Sequence, residues 1–218
     1  MYRVKEAFYT LQGEGAQAGR AAVFCRFSKC NLWTGREKDR ASAVCNFCDT
    51  DFIGTDGQNG GRFESPEALA SHIGDLWPDA PGKPYVVCTG GEPLLQLDSA
   101  LIEALHGRGF EVGVETNGTL PAPEGIDWLC VSPKADAPVV IDACDELKLV
   151  FPQPLAMPER FLGIRASHYF LSPMASPAVR ETDVDDIKQS NTRRATEYCL
   201  AHPQWRLTLQ MHKIIGID

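Results

Sequence analysis

Long hydrophobic runs are missing from this sequence. Its apolar stretches last only a few residues, where a helix that crosses a bilayer needs about 20, so no membrane span is expected. Positive charge is also in short supply. Lys and Arg number 21 against 29 Asp and Glu, a formal net charge of −8, which argues against a protein that coats nucleic-acid phosphates. The opening residues, Met1-Tyr2-Arg3-Val4-Lys5-Glu6, hold no apolar signal stretch. A cytoplasmic location is therefore expected, where thiols stay reduced. The sequence shows no internal repeat, low-complexity segment or linker, and one domain over residues 1–218 is expected.

Cysteine, by contrast, is plentiful at eight residues. In a reducing compartment, close cysteine spacing points to metal or redox chemistry rather than to disulfides. Five of the eight have a plainer reading. Cys88 ends the run Tyr85-Val86-Val87-Cys88 and Cys130 sits in Trp128-Leu129-Cys130-Val131, so both are expected as small core residues. Cys25, Cys144 and Cys199 are read the same way.

β-Branched, aromatic and apolar runs predict strands at Ala21–Phe27, Pro84–Cys88, Phe110–Glu115, Trp128–Val131, Glu146–Phe151, Tyr169–Leu171 and Trp205–Leu209. Three amphipathic helices are expected. The first opens at Ser65-Pro66-Glu67, a cap followed by proline at the first helical position, with Leu69, Ile73, Leu76 and Trp77 inward. The second carries Leu94, Leu97, Leu101 and Leu105. The third covers roughly Asp183–His202, with Val184, Ile187, Ala195 and Tyr198 inward. Residues 31–44 and 54–64 read as polar insertions, and Gly118–Ile126 as a connection without a helix. Strands alternating with helices imply an α/β fold with a mainly parallel sheet. Six or seven strands are too few for a complete eight-fold barrel, so a partial, open (β/α) barrel is expected. Polar or glycine-bearing tips follow several strands: Thr89-Gly90-Gly91-Glu92-Pro93, Thr116-Asn117-Gly118, Ser132-Pro133-Lys134, Ser172-Pro173-Met174 and Gln210-Met211-His212-Lys213. In parallel α/β folds ligands bind at the carboxyl ends of strands, so these tips are expected to gather.

Cys30, Cys45 and Cys48 form the remaining cluster. A Cys-x-x-Cys pair alone is compatible with a redox dithiol or half of a zinc site. The neighbourhood offers no histidine as a further zinc ligand, and Cys25 lies five residues back on a strand. Three thiolates also fit a [4Fe–4S] cluster with one open iron. Spacing alone leaves these alternatives open. Phe47, between the paired cysteines, could pack against an adenine, and Gly90-Gly91-Glu92-Pro93 could expose backbone carbonyls to an ammonium group.

Together the cysteine and glycine motifs resemble the radical S-adenosylmethionine superfamily. Its common spacing is Cys-x-x-x-Cys-x-x-Cys, and the longer first gap here is a departure. With that gap, Cys30-Asn31-Leu32-Trp33-Thr34-Gly35, Cys45-Asn46-Phe47-Cys48-Asp49-Thr50, Leu11-Gln12-Gly13-Glu14-Gly15, Ser132-Pro133-Lys134 and Gln210-x-His212-Lys213 resemble the 7-carboxy-7-deazaguanine synthase family over nearly the full length. The resemblance implies a partial barrel of the radical S-adenosylmethionine type, a [4Fe–4S] cluster on Cys30, Cys45 and Cys48, S-adenosylmethionine as cofactor, and Mg²⁺ with Thr50 among its ligands. The implied reaction turns 6-carboxy-5,6,7,8-tetrahydropterin into 7-carboxy-7-deazaguanine with loss of ammonia, for queuosine and other deazapurine pathways. Phe47, Asp49, Gly91, Ser132, Pro133, Lys134, Ser172 and Met174 would contact S-adenosylmethionine; Ser172-Pro173-Met174 stands where the family often has Gln-Pro-Met. Leu11, Gln12, Gly13, Glu14, Arg26, Thr89 and the terminal Asp218 would form the substrate site. The tail Gln210–Asp218 would close the pocket, anchored by Ile214, Ile215 and Ile217. A homodimer and an external electron donor such as a flavodoxin are further implications. Another radical S-adenosylmethionine enzyme, such as a glycyl-radical activating enzyme, and a zinc-binding structural module are the competing readings.

Cys→Ala at position 30, 45 or 48 is expected to abolish the reduced-state EPR signal of the reconstituted cluster, while Cys88→Ala and Cys130→Ala keep it. An intact signal in Cys45→Ala would sink the ligand assignment.

Overall fold

The computed structural model describes residues 1–177, 179 and 184–217. Among them nine strands form one sheet: β1 (Tyr2–Leu11), β2 (Ala21–Phe27), β3 (Gly61–Phe63), β4 (Tyr85–Gly90), β5 (Glu111–Thr116), β6 (Trp128–Val131), β7 (Ala143–Phe151), β8 (Arg165–Pro173) and β9 (Trp205–Leu207). Their order is β3-β1-β2-β4-β5-β6-β7-β8-β9. From β2 through β4 to β9 every neighbouring pair is parallel, whereas β1 pairs antiparallel with β2 and β3. β3 and β9 lie at the two edges, so the sheet does not close, as a partial barrel requires.

The seven strands expected from sequence are the seven parallel ones. The antiparallel pair β1 and β3 was not expected. β1 carries a register irregularity between Val4 and Glu6; such a bulge interrupts the two-residue alternation that marks a strand in sequence. β3 is three residues long and lies inside what reads as a polar insertion.

Helices α1 (Pro66–Leu76), α2 (Ser99–His106), α3 (Asp186–Ala201) and α4 (Met211–Ile215) complete the structure. α1 starts as its sequence dictates, with Ser65 Oγ accepting from Ala68 N at 3.2 Å. The expected second helix divides into a 3-10 turn at Pro93–Leu95 and α2. The division falls at Asp98, whose carboxylate accepts from Leu101 N at 3.0 Å and so restarts the helix. α3 starts at the Asp185 cap, where Oδ1 accepts from Lys188 N at 2.8 Å; the proposed start at Asp183 lies outside the described residues. Ala195 is buried and Tyr198 packs on the core, but Val184 and Ile187 are 82% and 55% exposed, against expectation. The start of α3 overhangs a groove lined by residues 175–177 and Lys188, and α3 meets the core only from Asn191 onward.

One face of the sheet packs against α1, α2 and α3. Val23, Cys25 and Phe27 on β2, Val86 and Cys88 on β4, and Val112 and Val114 on β5 bury there with Leu69, Ile73, Leu101 and Leu105. Leu147 and Leu149 on β7 continue this layer beneath α3. Alternate residues point to the other face, where the charged Arg26, Glu115, Glu146 and Lys148 lie on the same side as a small apolar cluster of Ala22, Tyr85 and Val87 with Phe24. Cys25, Cys88 and Cys130 are buried as expected, but Cys144 and Cys199 are only half-buried, because they sit where β7 begins and α3 ends. The tail also departs from expectation. It forms the short helix α4, and Ile214, Ile215 and Ile217 remain 66%, 55% and 38% exposed. Polar and backbone contacts hold it, with Met211 N donating to Gly13 O at 3.0 Å. Among the described residues no helix is long and apolar enough to cross a membrane.

Asp98 Oδ1 also accepts from the buried Tyr2 hydroxyl at 2.8 Å and so ties β1 to the start of α2. Asp98→Ala removes a cap and a hydrogen bond together, and is expected to lower unfolding stability by about 2 kcal/mol. An unchanged urea midpoint would show that neither contact matters.

Candidate active site

The parallel strands deliver their carboxyl ends to one edge, and the tips gather there. Thr89, Gly90 and Gly91 at the end of β4, Thr116 and Asn117 at β5, Ser132 and Lys134 after β6, Ser172, Pro173 and Met174 at β8, and Gln210 after β9 line one open cavity of ≈ 240 Å³. Cys30, Cys45 and Cys48 line it too, with Phe47, Asp49, Thr50 and Glu14. Residues from all parts of the chain meet because parallel pairing fixes which strand end faces which way.

The glycine turn sets the depth of the cavity. At Gly91 a Cβ would overlap the Lys29 carbonyl and come within 2.9 Å of Cys30 Cβ, so only glycine lets the turn pass this close to the first cysteine. Glu92 behind it is fully buried. Its carboxylate accepts from Leu94 N at 3.0 Å, Thr116 Oγ1 at 2.7 Å and Asn117 N at 2.8 Å. Burial pushes its pKa up even though these three donors favour the charged form.

The thiols suit an iron–sulfur cluster. Leu32 N donates to Cys30 Sγ at 3.4 Å, and burial raises the Cys30 pKa. Cys45 and Cys48 sit close enough to titrate together, the contact holding one thiol below and the other above the ordinary value. Among the described residues no three His, Cys, Asp or Glu side chains form a group that could hold a single metal ion. Three cysteine thiols around one cavity are the donor set that a [4Fe–4S] cluster with one open iron takes. Cys25 faces the core beside Cys88, away from the cavity. Arg40 braces the cysteine loop by donating to the carbonyls of Asn46 at 3.0 Å and Cys48 at 2.9 Å while its guanidinium lies over Trp33.

Of the residues expected to contact the cofactor, Phe47, Asp49, Gly91, Ser132, Lys134, Ser172 and Met174 line this cavity; Pro133 is buried behind it. Lys134 Nζ folds back on Ser132, 2.6 Å from both its carbonyl oxygen and its Oγ. Of the residues expected at the substrate, Glu14 and Thr89 line the cavity. Gln12 is buried beneath it, Leu11 ends β1, and Gly13 packs under the His212 ring. Arg26 opens instead on an adjoining groove with Thr50 and His212, where its Nε donates to Glu6 Oε1 at 2.7 Å. Asp218 lies outside the described residues. Asp49 is held by Lys213 of α4 at 2.7 Å.

Sequence reading passed over Glu115 and Lys148, which also line the cavity, and the structural part of Glu92. A lysine inside the apolar run Glu146–Phe151 was the available signal for Lys148. Nothing in the sequence says that Glu115, sixteen residues beyond α2's first residue, faces it.

The family description "Radical SAM superfamily" matches residues 41–141. The chain is 62% identical to the 7-carboxy-7-deazaguanine synthase of Bordetella pertussis and 60% identical to that of Caulobacter vibrioides, over 99% of this chain and of each relative. It also resembles the crystal structure of QueE from Escherichia coli, with a TM-score of 0.65 and 26% identity, covering 97% of this chain and 94% of that one.

Glu92→Gln aims an amide NH₂ at a backbone N–H in either orientation. A loss of about 1–3 kcal/mol in unfolding free energy is expected. Unaltered stability by urea titration would show that the three accepted bonds do not brace the glycine turn.

Proposed function

Since the chain belongs to the 7-carboxy-7-deazaguanine synthase family of radical S-adenosylmethionine enzymes, we propose that it makes 7-carboxy-7-deazaguanine from 6-carboxy-5,6,7,8-tetrahydropterin with loss of ammonia, as one domain over residues 1–218. The observation that carries the substrate reading is the meeting of Cys30, Cys45 and Cys48 with Glu14 and Thr89 around one cavity. Family membership implies a [4Fe–4S] cluster and S-adenosylmethionine. When bound, these would supply the radical chemistry by which a hydrogen atom leaves the pterin ring.

The protein's own part is to orient and exclude. Cys30, Cys45 and Cys48 ligate the cluster. Phe47 offers an apolar face to the adenine, the Gly90-Gly91 backbone receives the amino group, and Ser132 and Lys134 present polar groups to the rest of the cofactor, with Asp49, Pro133, Ser172 and Met174 shaping its walls. Leu11, Gln12, Gly13, Glu14 and Thr89 take the pterin. Arg26 serves its carboxylate: only its Nε is engaged by Glu6 among the described residues, which leaves the terminal nitrogens of the fork for an acid. Asp218, at the end of the tail, is assigned to the same substrate site.

Thr50 borders both the main cavity and the Arg26 groove. Its hydroxyl and the neighbouring Asp49 are hard oxygen donors of the kind Mg²⁺ takes, and a substrate carboxylate would complete the set. Radical S-adenosylmethionine chemistry also needs an external one-electron reductant, for which a flavodoxin fits, and a homodimer is the assembly carried over from the family.

Anaerobic turnover of the carboxytetrahydropterin by the reconstituted enzyme is expected to give the deazaguanine product, read by mass and absorbance. Chelator treatment and Thr50→Ala should each lower kcat/KM by at least about tenfold, with Mg²⁺ restoring the chelated wild type. No product in any condition would refute the reaction; full activity of metal-free enzyme would refute the Mg²⁺ site alone.

A further inference from the structure

Lys148 belongs to β7 and points to the sheet face opposite the helices, its side chain only 6% exposed. Its ammonium lies 3.0 Å from Glu14 Oε2 and 2.7 Å from Glu115 Oε2. Gln12 closes the circuit: its Nε2 donates to Glu115 Oε1 at 3.0 Å and its Oε1 accepts from Glu14 N at 3.1 Å. Glu14, Glu115 and Lys148 all line the main cavity. The ring joins the loop after β1 to β5 and β7, three segments far apart in sequence.

The charges are mutually dependent. Burial alone would strip the proton from Lys148, but the carboxylates of Glu115 and Glu14 hold its pKa well above the ordinary value. Two carboxylates on one cavity wall would repel each other without the lysine, and one would take up a proton. Lys148 lies between them within ion-pair distance of both, and their remaining lone pairs face the cavity as acceptors. An ammonium has three N–H bonds, and among the described residues Lys148 has these two carboxylates as its partners. One donor is left over.

We infer that Lys148 is a positioning and specificity-determining residue of the substrate pocket: it fixes Glu14 and Glu115 as acceptors on the wall and adds a donor beside them. That pattern fits a heterocycle edge that presents N–H donors next to a carbonyl oxygen, as the 2-amino-4-oxo edge of a pterin does. It disfavours an edge in which the amino group is replaced by a second oxygen. The inference rests on the reading that this cavity takes a pterin.

The test uses reconstituted enzyme under anaerobic conditions with the carboxytetrahydropterin and its 2-oxo analogue. Lys148→Met should raise the KM for the pterin by at least about tenfold. It should also shrink the preference for the amino over the oxo compound by a similar factor. Cluster absorbance and substrate-free reductive cleavage of S-adenosylmethionine should be unchanged, which a general loss of structure would not allow. Lys148→Arg keeps the charge and should recover most of the KM. If Lys148→Met does not fold, the charge-neutral pair Lys148→Met with Glu115→Gln should fold and show the same loss of preference. A cluster-loaded variant of either kind with wild-type KM and wild-type preference would overturn the inference. Failure of the wild type to turn over the pterin would instead overturn the functional reading on which it rests.

Discussion

Glu92 has no exposed surface, yet its carboxylate takes a backbone bond from the turn it belongs to, a hydroxyl from Thr116 and a backbone bond from Asn117. Those bonds lock the end of β4 to the end of β5. The lock holds the Gly90-Gly91 turn against the Cys30 loop, at a distance only glycine permits. Asn117 in turn donates to Asn31 Oδ1 at 3.0 Å, just after Cys30. The position of the first cysteine relative to the cavity thus depends on a buried anion. Burying a carboxylate costs several kcal/mol unless its acceptors are used, and here three donors offset that cost.

A second charged assembly works at the other side of the cavity. Lys148, Glu14 and Glu115 place a cation between two carboxylates on the sheet face turned away from the helices. Buried ion pairs are weak evidence for stability, because desolvation can match the Coulomb gain. Their value at a binding wall is different. They present acceptors and donors in a fixed pattern that needs no rearrangement when a ligand arrives. Glu146 extends the group by accepting from Ala16 N at 2.8 Å, which pins the loop that carries Gln12 and Glu14.

The tail shows how a short terminal helix can matter without an apolar anchor. Its isoleucines face outward, while Met211 bonds the Gly13 carbonyl and Lys213 pairs with Asp49. The tail therefore bridges the loop before β2 and the loop after the last cluster cysteine. Apolar content alone suggested burial; the contacts that exist are polar, and polar contacts across the ends of strands leave no periodic trace.

Sequence by itself determined the seven parallel strands, the capped start of α1, the gathering of strand tips and the cysteine set, because each has a local cause: alternation, a cap, a turn, a spacing. It did not determine β1, whose bulge breaks the alternation, nor the restart of α2 at Asp98. It recognised Glu14 and Thr89 as candidates but passed over Glu115 and Lys148. Tertiary structure alone decided that Lys148 meets Glu14 and Glu115, that Arg26 faces Glu6, and that Glu92 ties two strand ends. Such pairings depend on which strands become neighbours. Neighbourhood in a parallel sheet is set by crossover connections and the packing of whole layers, which no single stretch of chain encodes.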